Sequence, residues 1–139
     1  MFVKHQSDVK AEPIDTTPGA KNGTIQWLIN TPDAENFAMR RFVIGKGGHS
    51  PYHSHGFEHE VFVVSGKGVL VNGERDDEEI PLKSGSVVFV PGDEVHQFKN
   101  AGDDNFVFLC MVPLGEKAAC GPLPTPTAEE KEEEVSGIC

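Results

Sequence analysis

Short runs of alternating or β-branched apolar residues recur along the middle of this chain: TIQWLI, FAMRRFVI, HEVFVV, GVLVN, EEIPL, SVVFV, HQFK and FVFLCMV. Successive side chains of a strand point to opposite faces, so apolar and polar positions that exchange with a period near two mark half-buried strands. Gly and Asn punctuate the runs. Asn72-Gly73 supplies the pair that a type I′ hairpin turn needs, between GVLV and the polar stretch ending in EEIPL. No stretch carries a convincing helical period, and many short strands with turn signals predict an all-β sandwich or barrel.

The pattern occupies residues 24–115. Residues 1–23 mix polar side chains with Pro13, Pro18 and Gly19 and read as an irregular arm, with room for one strand near its end. Residues 116–139 run through PLPTPT and AEEKEEE, too poor in apolar side chains to offset the entropy of ordering, and are expected to form a mobile acidic tail.

With 139 residues there is room for one domain, able to bury about two thirds of the surface its unfolded chain exposes. The net charge is −10, of which the tail contributes −4 through six acidic and two basic residues. No cluster of Lys and Arg offers the footprint that phosphate binding needs, which argues against nucleic acid or an anionic membrane as partner. The N-terminus lacks a signal-peptide pattern and no apolar stretch approaches the length that spans a bilayer, so a cytoplasmic location is expected. Three cysteines, an odd number, do not make a disulfide scaffold; Cys110 lies in a strand run, and Cys120 and Cys139 lie beyond the barrel.

The chemistry concentrates in two segments. GHSPYHSHGFEHEVFVVSG places His53, His55 and His59 close together at the start of a strand run, with His49 just ahead of them, and PGDEVHQFKN adds His96, so five of the six histidines fall in these two stretches. In extended chain His53 and His55 share a face, as two ligands of one ion must, and His59 has the same parity. Imidazole is the commonest metal-ligating side chain, and four of them are expected to converge on one divalent ion.

The spacing of the two segments resembles the cupin superfamily. Its first motif is G, five residues, HxH, three or four residues, E, six residues, G; its second is G, five residues, PxG, two residues, H, three residues, N. Gly85, Pro91, His96 and Asn100 fit the second, with Gly92 one place early. In the first, the run to Gly66 is six residues counted from His59 and five from Glu60, so His59 occupies the glutamate's place. Strand alternation puts His59 and Glu60 on opposite faces, which makes Glu60, like Glu58, a solvated carboxylate. HSHGFEHEVFVVSGKG, NFAMRRF and NFVFLCMVP are similar to segments of the small single-domain cupins that bind manganese through four histidines.

The resemblance implies a double-stranded β-helix, or jelly roll, and manganese as the metal; the imidazole set itself equally suits Zn, Cu, Fe or Ni. It also implies that Phe108 and Cys110 point toward the ion, where a thiol is oxidisable, and that Arg40 matches a basic residue able to hold an anionic substrate by a bidentate contact. Phe57 is expected to cap the metal loop, His49 to lie at the surface or behind the ligands, and Trp27 and Tyr52 to be core or rim residues. Four neutral imidazoles leave the full ionic charge and open coordination positions. No nucleophile motif, phosphate loop or convergent acid or base is evident. The expectation is a metal-dependent oxidoreductase, of dioxygenase or peroxide-using type, acting on a small organic molecule. The alternatives are non-redox Lewis-acid chemistry (isomerase or hydrolase type) and a non-catalytic module that binds a small molecule or metal. A homodimer formed through exposed edge strands is expected.

Overall fold

In the computed structural model, which describes residues 1–115, the eight alternating runs form strands of one curled, antiparallel sheet, and a short strand in the N-terminal arm makes nine. They are β1 (Glu12–Pro13), β2 (Lys21–Ile29), β3 (Phe37–His49), β4 (His59–Ser65), β5 (Lys67–Asn72), β6 (Glu78–Lys83), β7 (Val87–Val90), β8 (His96–Asn100) and β9 (Phe106–Pro113). The strand order is β6-β5-β8-β3-β9-β4-β7, with β2 along the other edge of β3 and β1 along β2. The acidic tail, Cys120 and Cys139 lie outside the described residues. Among the described residues no helix is long and apolar enough to cross a membrane.

β3 turns the corner of the sheet. Its first part, Phe37 to Ile44, pairs residue by residue with β9, whereas its last residue, His49, pairs with Lys99 of β8. Between them lies GKGG, where the register against β2 jumps and Gly47 adopts φ +76°, a left-handed conformation that costs glycine little. The bulge therefore lets one strand serve both halves of the barrel.

Alternation decides what lies inside. β3 buries Ala38, Arg40, Phe42 and Ile44; β4 buries His59, Val61 and Val63; β9 buries Phe106, Phe108, Cys110 and Val112. Phe108 is the hub of an aromatic cluster, with ring centroids 5.1 Å from Phe42, 5.0 Å from Phe98 and 5.1 Å from Phe106. Such pairs contribute about 0.5–1.5 kcal/mol each beyond the area they bury.

The stretch before β2 is less loose than its composition suggests. Ile14 is fully buried in the core, and the Gln26 side-chain amide donates to the carbonyls of Gln6 (2.9 Å) and Val9 (2.8 Å). One apolar residue and two backbone acceptors thus anchor an otherwise polar arm.

Candidate metal centre

Two connections meet at one end of the barrel: residues 50–58, between β3 and β4, and residues 91–95, between β7 and β8. They are joined by a two-residue antiparallel bridge. The His53 amide donates to the His96 carbonyl (3.1 Å) and the His96 amide to the His53 carbonyl (2.9 Å), which sets the two side chains side by side. The Asp93 amide donates to the His55 carbonyl at 2.6 Å. Asp93, at φ +69°, stands where the resemblance wants a glycine, and takes the left-handed turn itself, as Asp tolerates better than most residues. Gly92 serves a different need: a Cβ there would lie 2.6 Å from the Gly56 carbonyl oxygen, so only glycine lets the connections approach this closely.

His59 enters from the first position of β4, held by its register against Val90 of β7. The four rings form one cluster, with centroids 5.0 Å apart for His53 and His55, 5.2 Å for His53 and His96, 4.5 Å for His55 and His59, and 5.1 Å for His59 and His96. Nitrogen atoms of His53, His55 and His96 lie within 4.8 Å of one another. His59 Nε2 joins them, 2.8 Å from His55 Nε2. Two imidazoles bound to one ion at ~2.1 Å and a right angle would have their nitrogens about 3 Å apart, so this spacing fits a shared ion.

The ring nitrogens facing away are also engaged. His55 Nδ1 lies 3.0 Å from the Phe57 carbonyl oxygen and His96 Nδ1 2.9 Å from the Glu94 carbonyl oxygen. A carbonyl only accepts, so in both rings Nδ1 carries the proton and Nε2 keeps its lone pair. His59 Nδ1 faces the sulfur of Cys110 at 3.2 Å. Burial, reinforced by the neighbouring rings and Arg40, holds His53 and His55 down to about 4 and His59 lower still, and burial lowers His96. The cluster is therefore neutral near pH 7, the form that binds a metal.

A cavity of about 20 Å³ adjoins the rings, lined by Arg40, Phe42, Ser50, Pro51, Phe98, Phe108 and Cys110 besides His53, His59 and His96. That is room for about one water molecule. Arg40 and Cys110 are opposite residues of β3 and β9, and Arg40 Nη2 donates to Cys110 Sγ at 3.1 Å. The guanidinium lies 5.4 Å from the Trp27 ring centroid and 5.0 Å from that of Phe42, two cation–π contacts. Phe57 is buried and stacks on His55, centroids 4.1 Å apart.

Other candidates lie elsewhere. Glu60 is exposed on the outer face, its carboxyl pushed up to about 7 by partial desolvation and by sharing a hydrogen bond with Glu58. Arg41 faces outward to Gln26 Oε1 (3.0 Å), His49 turns to the Ser50 carbonyl, and the Tyr52 hydroxyl donates to Asp77 at the rim. Asn100 is structural: its amide donates to the Ile44 and Asp104 carbonyls and its oxygen accepts from the Gly102 amide. Reading the sequence missed Ser50 and the Phe57 and Glu94 carbonyls. Only the pairing of TIQWLI with FAMRRF hints that Trp27 lies beside Arg40.

The Cupin domain family profile matches residues 40–112 of this chain. The structure of the polyketide cyclase RemF from Streptomyces resistomycificus superposes with a TM-score of 0.76 and 32% identity, covering 99% of this chain and 94% of that one. An oxalate-binding protein from Thermotoga maritima is 27% identical over 117 residues, 81% of this chain and 94% of its own. A glucose-6-phosphate isomerase from Pyrococcus abyssi is 36% identical over 87 residues, 56% of this chain but only 46% of its own length. A 1-methylthio-D-xylulose 5-phosphate methylsulfurylase from Rhodospirillum rubrum likewise matches over 46% of its length, at 35% identity. The chain thus spans about half the length of these last two relatives.

The lowered histidines make the metal-free fold sensitive to mild acid. Below the ordinary value of 6.5 the unfolded chain binds more protons than the folded one, so this contribution is complete above about 6.5 and is lost progressively down to about 4. The urea midpoint of the metal-free protein, compared with that of a His53→Gln/His55→Gln variant, is expected to lose ground steadily across this window. A constant difference between pH 7 and pH 4 would refute the burial of neutral imidazoles.

Proposed function

The chain belongs to the cupin family, and on that footing we propose that it is a metal-dependent enzyme in which His53, His55, His59 and His96 hold one divalent ion, with a small, oxygen-bearing organic molecule as substrate. One observation carries the choice of chemistry: the cavity is lined by three of these imidazoles, a guanidinium, a hydroxyl, a thiol and aromatic rings, and by no carboxylate. Such a site favours negative charge developing on oxygen. Bound there, a divalent ion supplies Lewis acidity undiminished by an anionic ligand. Arg40 donates toward the same oxygen, held in place by Trp27 and Phe42, while Phe98 and Phe108 exclude water from the inner side. The reading is enolisation of a carbonyl compound, in which the ion and Arg40 would stabilise the negative charge on oxygen while the proton leaving the neighbouring carbon would pass to solvent water, as in an isomerisation or a cyclisation. The names of the polyketide cyclase and of the glucose-6-phosphate isomerase support a reaction without net redox change.

An oxidoreductase is the second reading. The cavity's size supports it, because about 20 Å³ beside an open position suits dioxygen or peroxide better than an organic molecule. Manganese, which the resemblance implies, would serve either reading; the donor set equally suits zinc, iron, nickel or copper. A cytoplasmic location goes with the proposal and is supported by the free thiol of Cys110.

The partner in this reading is a second copy of the chain. Among the described residues β7 is an end strand paired on one side only, and its exposed face continues onto β4: Val87 is 79% exposed, Phe89 59%, Phe62 45% and Val64 42%. These side chains leave on the order of 400 Å² of apolar surface open, enough to mark a contact and about half of what each partner brings to a standard interface. An apolar patch bordered by Glu60, the residue paired with Phe89, can meet its own copy about a two-fold axis. The opposite end strand, β6, carries Glu78, Glu79, Pro81 and Lys83, the features that discourage edge pairing.

Zinc-loaded protein is expected to exchange α-hydrogens of enolisable ketones with deuterated water, followed by NMR, and Arg40→Met is expected to slow this by about 10²-fold or more. No exchange with zinc, together with dioxygen or peroxide consumption by the manganese or iron form, would overturn the reading in favour of the oxidoreductase. No turnover with any metal would leave a binding module. By light scattering the wild type is expected at twice the chain mass and Phe62→Asp/Phe89→Asp at the chain mass; a monomeric wild type would contradict the interface.

A further inference from the structure

Two of the clustered imidazoles, His55 and His96, are oriented from behind by backbone carbonyls, but His59 is not. Its Nδ1 meets a side chain, the sulfur of Cys110, at 3.2 Å. The Met111 carbonyl, 3.9 Å from the sulfur, is an acceptor within reach of the thiol's own hydrogen, an arrangement that leaves the sulfur's lone pairs for its other neighbours. It receives Arg40 Nη2 at 3.1 Å and lies 3.2 Å from His59 Nδ1, which is a donor in the tautomer that leaves Nε2 free for the ion. Three strands fix it there, because Cys110 lies opposite Arg40 of β3 and opposite Val61 of β4.

We infer that Cys110 is a positioning residue: by accepting the Nδ1–H of His59 it holds that ring in the tautomer and orientation that present Nε2 to the ion, and Arg40 in turn pins the sulfur. This rests on the four-imidazole metal reading and goes beyond it. Cys110 then acts through His59 and is not consumed in the reaction. An acceptor behind a metal-bound imidazole is usually a carboxylate, a carbonyl or water, and its loss typically weakens metal binding 10–100-fold. A thiol fits here because the position is wholly buried and opposite an arginine, where a small, polarisable side chain accepts two donors without bringing a charge of its own.

The test uses zinc, which is diamagnetic and binds imidazole well. Competition against a chromophoric chelator gives the zinc affinity of wild type, Cys110→Ala and Cys110→Ser, and long-range ¹H–¹⁵N NMR reads the protonated nitrogen of His59 in the zinc-loaded wild type. The expected result is a 10–100-fold loss for Cys110→Ala, recovery to within a few-fold of wild type in Cys110→Ser, whose hydroxyl also accepts, and a proton on His59 Nδ1. Equal affinity in all three proteins, equal loss in both variants, or a proton on His59 Nε2, would overturn the inference. If Cys110→Ala does not fold, the serine variant and the wild-type spectrum still decide. Failure of the wild type itself to bind zinc would instead overturn the metal reading on which the inference rests.

Discussion

The reciprocal backbone pair between His53 and His96 is the contact on which the candidate site depends. It joins two segments far apart in the chain, the connection leaving β3 and the start of β8, and makes His53 and His96 neighbours. The Asp93–His55 hydrogen bond and the Gly92–Gly56 approach lock the same junction. β4 completes it, because β7, the strand that leads into the second connection, also sets the register of His59. Each of the four imidazoles is carried on backbone that is itself hydrogen-bonded, His53 with His96, His55 with Asp93 and His59 in the β4–β7 register. That preorganisation is what a shared ion requires.

The charges divide between surface and interior. The chain is acidic overall, yet the cavity beside the histidines holds one cation and no carboxylate. Burial keeps the imidazoles neutral, so they are ready as ligands without first losing protons. Arg40 rests on the aromatic faces of Trp27 and Phe42 and on the Cys110 sulfur. The proposed chemistry, negative charge developing on a substrate oxygen, is drawn from this lining.

Much of this was legible in the sequence because strands obey parity. Period two alone puts His59 and Glu60 on opposite faces, as it does Arg40 and Arg41, and the spacing to Gly66 in the resembled motif chose His59 as the inward one. The strand runs were visible for the same reason. Parity is silent about register, so the pairing of Arg40 with Cys110, and of both with His59, emerges only when β3, β9 and β4 are aligned. Backbone acceptors such as the Phe57 and Glu94 carbonyls are invisible in principle, since any residue supplies one. The glycine displaced to position 92 looked like a mismatch; in the structure two constraints, close approach and left-handed turn, are met by adjacent residues, Gly92 and Asp93. Ile14 escaped notice because a single apolar residue in a polar arm has no period to betray it.

X-ray absorption of the metal-loaded protein tests the four-imidazole centre most directly, because imidazole rings give multiple-scattering features that carboxylates and water do not. The expected fit has four imidazole nitrogens at about 2.1 Å in the wild type and in Glu60→Gln, and three in His59→Ala. A carboxylate in the coordination sphere that disappears in Glu60→Gln, or an imidazole count unchanged in His59→Ala, would contradict it.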